Sequence, residues 1–205
     1  MTNLKKTEIG VVSDFVMLYF EVRPPCHRIQ EAYLQSASTE IDKMKNRITD
    51  VSFYKPQIED LWFRESMLSD PDTMSYNNAW GGTIPFPREK WADWYDFWIM
   101  NPNKRFYRYI TTGRSRSFVG EAAYHYDDDL KIYLADVIIS AKSRRQGFGK
   151  AGLQLLCEAA RKANIPELYD NIAIDNPGIS LFLQCSFQEE YRTAEIIMLK
   201  RKLSN

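Results

Sequence analysis

The stretch from Lys131 to Ala163, KIYLADVIISAKSRRQGFGKAGLQLLCEAARKA, admits few architectures, because a β-patterned run passes through a basic, glycine-containing turn into a long amphipathic segment. Ile132, Leu134, Val137, Ile138 and Ile139 form a β-branched and apolar run of strand length, whereas Phe148, Gly152, Leu155, Leu156, Ala159 and Ala163 recur at helical spacing. Between them lies Arg144-Arg145-Gln146-Gly147-Phe148-Gly149-Lys150. Its glycines let the backbone curl tightly, and the first-turn N–H groups of the helix that follows have no intrahelical partner. Those donors, at the positive end of the helix dipole, favour a phosphate or pyrophosphate. Lys142, Arg144, Arg145 and Lys150 add positive charge with no acidic residue between them. The plainer alternative is a glycine-containing loop flanked by solvated basic side chains.

Three phosphate-binding patterns can be set against this turn. The Walker pattern requires a glycine five positions before its Gly-Lys pair and a Ser or Thr after it. Arg144 and Ala151 occupy those positions, so it fails. Gly147 to Gly152 satisfies the dinucleotide fingerprint GxGxxG literally, with Asp175 about one helix and one strand further on. Against it, the six largely polar residues Ala141 to Gln146 separate the strand from the first glycine. Only 30 residues follow Asp175, too few to complete a doubly wound sheet, which leaves an NAD-dependent oxidoreductase as the last of three readings.

The third pattern is the one this turn resembles: the acetyl-CoA-binding motif of the GNAT N-acetyltransferases, Q/R-x-x-G-x-G/A, filled by Arg144, Gly147 and Gly149. The resemblance implies an α/β (α+β) fold with a mixed sheet flanked by helices. It also implies acetyl-CoA as cosubstrate and acetyl transfer to a primary amine by direct attack. The pyrophosphate would then lie on the backbone N–H groups of Arg145, Gln146, Gly147, Phe148, Gly149 and Lys150, and the pantetheine arm along Val137, Ile138 and Ile139.

A second family motif, an Asn, a Tyr seven residues later and a Gly-Phe ending, is expected after the fifth strand. Here the ending is Ser186-Phe187, which puts Phe182 at the tyrosine position and Asp175 at the Asn position, with Asn176 beside it. In the family that Tyr hydroxyl is the usual proton donor to the coenzyme thiolate, and Phe182 cannot donate a proton. A non-catalytic acyl-CoA-binding protein is therefore the competing class. The base is also open. Alternation puts Tyr133 and Ala135 on the face with Val137 and Ile139, where the family often places its base, and Asp136 on the other. Tyr133 is favoured by position, Asp136 by chemistry, and a water chain serves as well as either.

Lys plus Arg equals Asp plus Glu at 27 each, so no global field attracts a nucleic acid or a membrane surface; the partner that the resemblance implies is a small-molecule or peptide amine. Cys26, Cys157 and Cys185 lack CxxC spacing and His27 and His125 stand apart, which indicates neither a disulfide framework nor a metal site. The apolar run Phe15 to Phe20 is too short to span a bilayer and has no cleavage pattern after it, so a cytoplasmic location is expected.

Along the chain, residues 1–48 read as a mainly helical extension packed on the core, with a homodimer contact as its alternative use. The segment Ile9 to Val22 is ambiguous, and Ile29 to Ile48 is helical by spacing. Residues 49–205 form the acetyltransferase-like domain. In it, a strand at Val51 to Lys55 leads to a helix over Ile58 to Leu68. Trp91, Trp94, Tyr95 and Trp98 share a helical face read as core, and the resemblance implies that the loop Tyr76 to Phe86 borders the acceptor. Phe106–Thr112 and Phe118–Tyr126 form a hairpin, Asp127-Asp128-Asp129 a solvated turn, Tyr169–Ile174 a fifth strand, Ile179–Gln184 a short helix and Glu195–Leu203 a sixth and last strand.

Overall fold

The computed structural model describes residues 50–113 and 116–203, together with Leu34, Ser36 and Ser38, which are helical. The chain divides into two units, Met1–Lys43 and Met44–Asn205, and the architecture below is that of the second. The segment Ile9 to Val22 and the dimer use of the extension lie outside the described residues.

β1 (Ser52–Tyr54) leads through a 3₁₀ turn into α1 (Leu61–Ser69), which buries Leu61, Phe63, Met67 and Leu68. Asp70 ends α1, and its carboxylate accepts from the Thr73 hydroxyl at 2.6 Å, which opens a 3₁₀ segment over Thr73–Trp80. The tryptophan-rich stretch forms α2 (Trp91–Tyr95), which widens into a π-helical turn over Asp96–Met100. There follow β2 (Arg105–Thr112), β3 (Ser117–Asp127), β4 (Ile132–Ile139), α3 (Phe148–Lys162), β5 (Glu167–Ala173), α4 (Ile179–Gln184), β6 (Gln188–Arg192) and β7 (Ile196–Lys202).

The strands make one seven-stranded sheet in the order β1-β2-β3-β4-β5-β7-β6. Every neighbouring pair is antiparallel except β4 and β5, which are parallel. A mixed sheet of this kind is not the parallel, doubly wound sheet of a dinucleotide-binding enzyme, and the oxidoreductase reading falls with it. Six strands are expected from the sequence and seven are present among the described residues. The extra one, β6, reads QEEYR, is exposed throughout and pairs only with β7, so it carries no alternating apolar signal.

One face of the sheet packs on α3 and α4. Ile110, Ala122, Tyr124, Ala135, Leu168, Ile172, Ile197 and Leu199 meet Phe148, Leu153, Leu156, Cys157, Ala160 and Phe182 there. The buried side of α3 thus includes Leu153 and Cys157, while Leu155 and Ala159 are half-buried and Ala163 is exposed, a rotation of the stripe expected from spacing. Gly152 lets the helix approach: a Cβ there would stand 2.4 Å from Ile110 Cδ1. The other face carries α1 and α2. Phe63, Met67, Ile99, Tyr107, Tyr109 and Ala123 cluster against Trp94, Tyr95 and Trp98. Leu61, Leu68, Met74, Phe86 and Trp91 form a second cluster beside them.

The seam between β4 and β5 is the fold's main irregularity. These strands share the single bridge Leu134↔Tyr169, whereas β3 and β4 are in register from Gly120↔Ile139 to Asp127↔Ile132. Past Leu134 the two strands part, and β4 has an open edge.

Candidate active site

Ser140 donates its N–H to Val119 O on β3 at 3.0 Å, and alternation therefore turns the N–H and C=O of Ile139 and Val137 toward the open edge. The Ile138 peptide faces β3 instead, and the Ile138 side chain packs with the Leu61–Trp91 cluster. Of the three residues expected to carry pantetheine, Val137 and Ile139 thus offer backbone groups at the seam. Arg144 takes the Ile139 C=O, and the edge groups left at Val137 and the Ile139 N–H suit the amide-bearing arm of a coenzyme.

At the end of β4 the chain turns through Ala141–Ser143 and adopts positive φ at Arg145 (61°) and Gly147 (85°) before α3 begins. Glycine takes that conformation freely, and at Arg145 the structure holds it against its preference. The result points the free N–H groups of Phe148, Gly149 and Lys150 out of the first turn of α3. Phe148 is itself buried, so its contribution to an anion is from the backbone, whereas the Lys150 and Arg145 side chains are exposed.

Arg144 is engaged elsewhere. Its guanidinium donates to Ile139 O at 3.2 Å, Asp72 O at 3.0 Å and Thr73 O, with Ser75 Oγ at 3.4 Å. Ala141 N–H adds a bond to Thr73 Oγ1 at 2.9 Å. The motif arginine is therefore a clip between the turn and the 73–80 segment, and its side chain is not aimed at an anion.

A cleft of about 1420 Å³ runs from this turn along the β4/β5 seam to the α1/α2 face of the sheet. It brings together Asp136, Val137, Ile138, Ile139, Arg144, Arg145, Gly147, Phe148, Gly149, Lys150, Asn176 and Phe182, and leaves out Tyr133 and Gln146. Gln146 Nε2 lies 3.4 Å from Lys142 O. Tyr133 packs on the α3 side, its ring 5.9 Å from Tyr124 and 5.0 Å from Tyr126. Of the two candidate bases, Asp136 therefore lines the cleft and Tyr133 does not. Phe182 lies edge-on to Phe187 at 5.0 Å, and the Asn176 side chain accepts from Gly178 N–H at 2.7 Å to shape the entry to α4.

On the face that carries α1 and α2 the cleft wall is aromatic and charged. Arg64 reaches from α1 to Glu121 on β3, and its guanidinium lies 4.7 Å from the Trp94 ring and 5.3 Å from Phe86. The Tyr107 hydroxyl donates to the other Glu121 oxygen. Burial alone would favour loss of the guanidinium proton, but Glu121 and Tyr107 outweigh it and hold Arg64 firmly charged. Tyr76, Trp80 and Trp98 complete the wall.

Asp136 opens into the cleft with 58% of its side chain accessible, yet protein surrounds it on the remaining sides and His125 Nδ1 stands 3.8 Å away. Burial raises its pKa, His125 opposes the rise and Glu121 adds to it. Asp170, on β5 across the seam, is raised well above the carboxylate range by burial first and by the Asp136 charge second.

Sequence reasoning missed Arg64, Tyr107, Glu121 and Asp170. A signal was available for two of them: Glu121 is a lone charge inside the apolar run Val119 to Tyr124, and Asp170 alternates with Leu168 and Ile172 on a buried face. Among the described residues no group of His, Cys, Asp and Glu side chains is arranged to hold a metal ion, and no helix is long and apolar enough to cross a membrane.

The acetyltransferase (GNAT) family profile matches residues 62–187, more than half of the chain. No curated protein matches the sequence significantly. Among solved structures, the fold resembles the spermidine N-acetyltransferase of Vibrio cholerae in complex with CoA and spermine, at TM-score 0.62 and 16% identity over 76% of this chain and 96% of that one. It also resembles an N-acetyltransferase of Staphylococcus aureus Mu50 (TM-score 0.61, 15% identity, 76% and 99% covered). A Salmonella typhimurium protein solved with its cofactor acetyl-CoA is similar too (TM-score 0.61, 13% identity, 76% and 95% covered).

Proposed function

Because the chain belongs to the GNAT acetyltransferase family, we propose that it transfers an acetyl group from acetyl-CoA to the primary amine of a small molecule or peptide by direct attack. The observation that carries this reading is the single cleft joining the α3 turn, the open edge of β4 and the Asp136 wall. In it, the N–H groups of Phe148, Gly149 and Lys150 receive the pyrophosphate, and Lys150 and Arg145 add charge. The Val137 and Ile139 peptides align the pantetheine arm, and one N–H of the same edge polarises the thioester carbonyl as negative charge develops on it.

Asp136 is the base of this reading. Its raised pKa makes its carboxylate a better proton acceptor than an ordinary aspartate, and it lies on the side from which the amine arrives. The acceptor reaches it between Trp80, Trp94, Trp98 and Tyr76, a wall suited to an alkyl amine whose cationic form is attracted by aromatic faces and by Asp136. The spermidine acetyltransferase among the similar structures fits that choice of chemistry. The free, buried thiols of Cys157 and Cys185 agree with a place in the reducing cytoplasm.

The test is thiol release from acetyl-CoA against spermidine, putrescine, an amino-acid amide and a peptide N-terminus. Turnover with at least one amine and a fall of about 10²-fold or more in Asp136→Asn are expected. Phe182 supplies no hydroxyl and favours the second reading, a non-catalytic acyl-CoA-binding protein. Coenzyme binding with no turnover across a broad panel of amines would favour that instead.

A further inference from the structure

Asp170 sits on the coenzyme side of the seam. On β5 it alternates with Leu168 and Ile172, which pack with Phe182 against α3 and α4, and in the β5/β7 ladder it faces Leu199 of the same core. It nevertheless lines the cleft, in company with Val137, Ile139, Leu181 and Phe182. Asp136 lies on the opposite face of β4 and opens to the acceptor side. The two carboxyls thus flank the place where β4 and β5 separate, one on each side. A thioester held along the β4 edge passes between them.

We infer that Asp170 is the general acid of the reaction, donating its proton to the departing coenzyme sulfur while Asp136 accepts the proton of the attacking amine. This assignment rests on the acetyltransferase reading above. The amine nitrogen forms a bond to the thioester carbon and gives a proton to the Asp136 carboxylate. The C–S bond breaks, its electron pair goes to sulfur, and the Asp170 proton follows to give the free thiol. Asp136 is left protonated and Asp170 ionised, so one proton moving from Asp136 to Asp170, directly or through water, restores the starting state. No oxidant, reductant or metal enters the balance.

The charge environment supports this division. Burial and the Asp136 charge favour the protonated form of Asp170, opposed only by the Asn171 N–H that stabilises its anion. The other titratable group coupled to it is Tyr76 from the 73–80 segment, which its charge raises in turn; Lys150 at the start of α3 lines the same cleft. β7 opposes it with Leu199, and α4 lines the cleft with Leu181 and Phe182, none of which ionises. Loss of a proton from Asp136 makes loss of a second from Asp170 harder, which keeps one proton on the pair.

The experiment measures kcat for thiol release with acetyl-CoA and the fastest amine of the panel above, in wild type, Asp170→Asn and Asp170→Asn/Phe182→Tyr, with CoA affinity by calorimetry. Asp170→Asn is expected to lower kcat about 10²-fold or more, to keep CoA affinity and to remove the alkaline limb of the pH–rate profile. Phe182→Tyr in that background, which puts a hydroxyl over the same cleft, is expected to recover at least a factor of about 10. In uncatalysed wild type the Asp170 carboxyl ¹³C signal is expected to titrate above the ordinary aspartate range. An Asp170→Asn enzyme within about threefold of wild type, or a loss of kcat matched by loss of CoA affinity, overturns the assignment, as does an Asp170 signal titrating near about 4. If wild type turns over no amine, the acetyltransferase reading itself falls and the assignment with it; if wild type is active and Asp170→Asn equals it, only the assignment falls.

Discussion

The Arg64–Glu121 pair predicts a specific stability experiment. Replacing Glu121 by Leu leaves a guanidinium whose side chain is 18% accessible without its counter-charge, and takes the acceptor from the Tyr107 hydroxyl. Removing one partner of a buried ion pair costs about 3–5 kcal/mol, and the residual exposure of Arg64 places this case near the lower end, about 3 kcal/mol. With a urea slope of about 2 kcal/mol/M, the unfolding midpoint should fall by about 1.5 M. Adding Arg64→Met removes the orphaned charge and fills the same volume against Trp94 and Phe86, so the double variant should regain at least about 2 kcal/mol of the loss. Equilibrium urea unfolding of wild type, both single variants and the double variant measures the coupling directly. A Glu121→Leu cost below about 1 kcal/mol, or a double variant no more stable than the single, would refute the view that charge compensation holds this wall together.

Gly152→Val drives a branched side chain into Ile110 and should cost about 1–3 kcal/mol of stability, read by calorimetric melting. Gly147→Ala must hold a positive φ and should lose about 1 kcal/mol while weakening CoA binding, because the strained turn re-aims the first N–H groups of α3. Arg144→Met should raise the KM for the amine more than the Kd for CoA, since its guanidinium holds Asp72, Thr73 and Ser75 rather than the anion; equal losses would return Arg144 to the coenzyme. For Asp170 the folded-state pKa is raised, so its contribution to stability is complete below its unfolded value of 3.8 and is lost as pH rises through the folded value. Asp170→Asn should therefore melt with an advantage over wild type that grows as pH rises above about 4 toward the raised folded value, and an advantage that shrinks with pH would contradict the shift.

What the sequence made legible was local. The strand, turn and helix of residues 131–163 are readable because their signals sit within one helical turn or one strand pleat of each other. The β2–β3 hairpin and the Asp127 turn, whose carboxylate accepts from the N–H groups of Asp129 and Leu130, are readable for the same reason. β6 was not, because a polar edge strand has no apolar side to alternate. The site escaped where partners are distant: Arg64 meets Glu121 across 57 positions, and Arg144 reaches back 71 and 72 positions to Thr73 and Asp72. Facing was the subtler failure. Alternation separated Tyr133 from Asp136 correctly, but only the packing of α3 against Tyr124, Ala135 and their neighbours says which face meets α3 and which meets α1 and α2.

The lone bridge between Leu134 and Tyr169 also makes the sheet mechanically two-part, with four strands on one side of the seam and three on the other. On the proposed reading, a coenzyme bonded along Val137 and Ile139 would supply rungs that the protein omits, and the ligand would become a structural element of the sheet it reacts in. At a concentration of about 100 times its Kd such a ligand adds about 2.7 kcal/mol to the stability of the fold. Amide hydrogen exchange at Val137 and Ile139 should then slow on coenzyme addition while the β3-bonded Ile138 amide changes far less. The alternating pattern would show that the coenzyme completes the hydrogen bonding of the β4 edge.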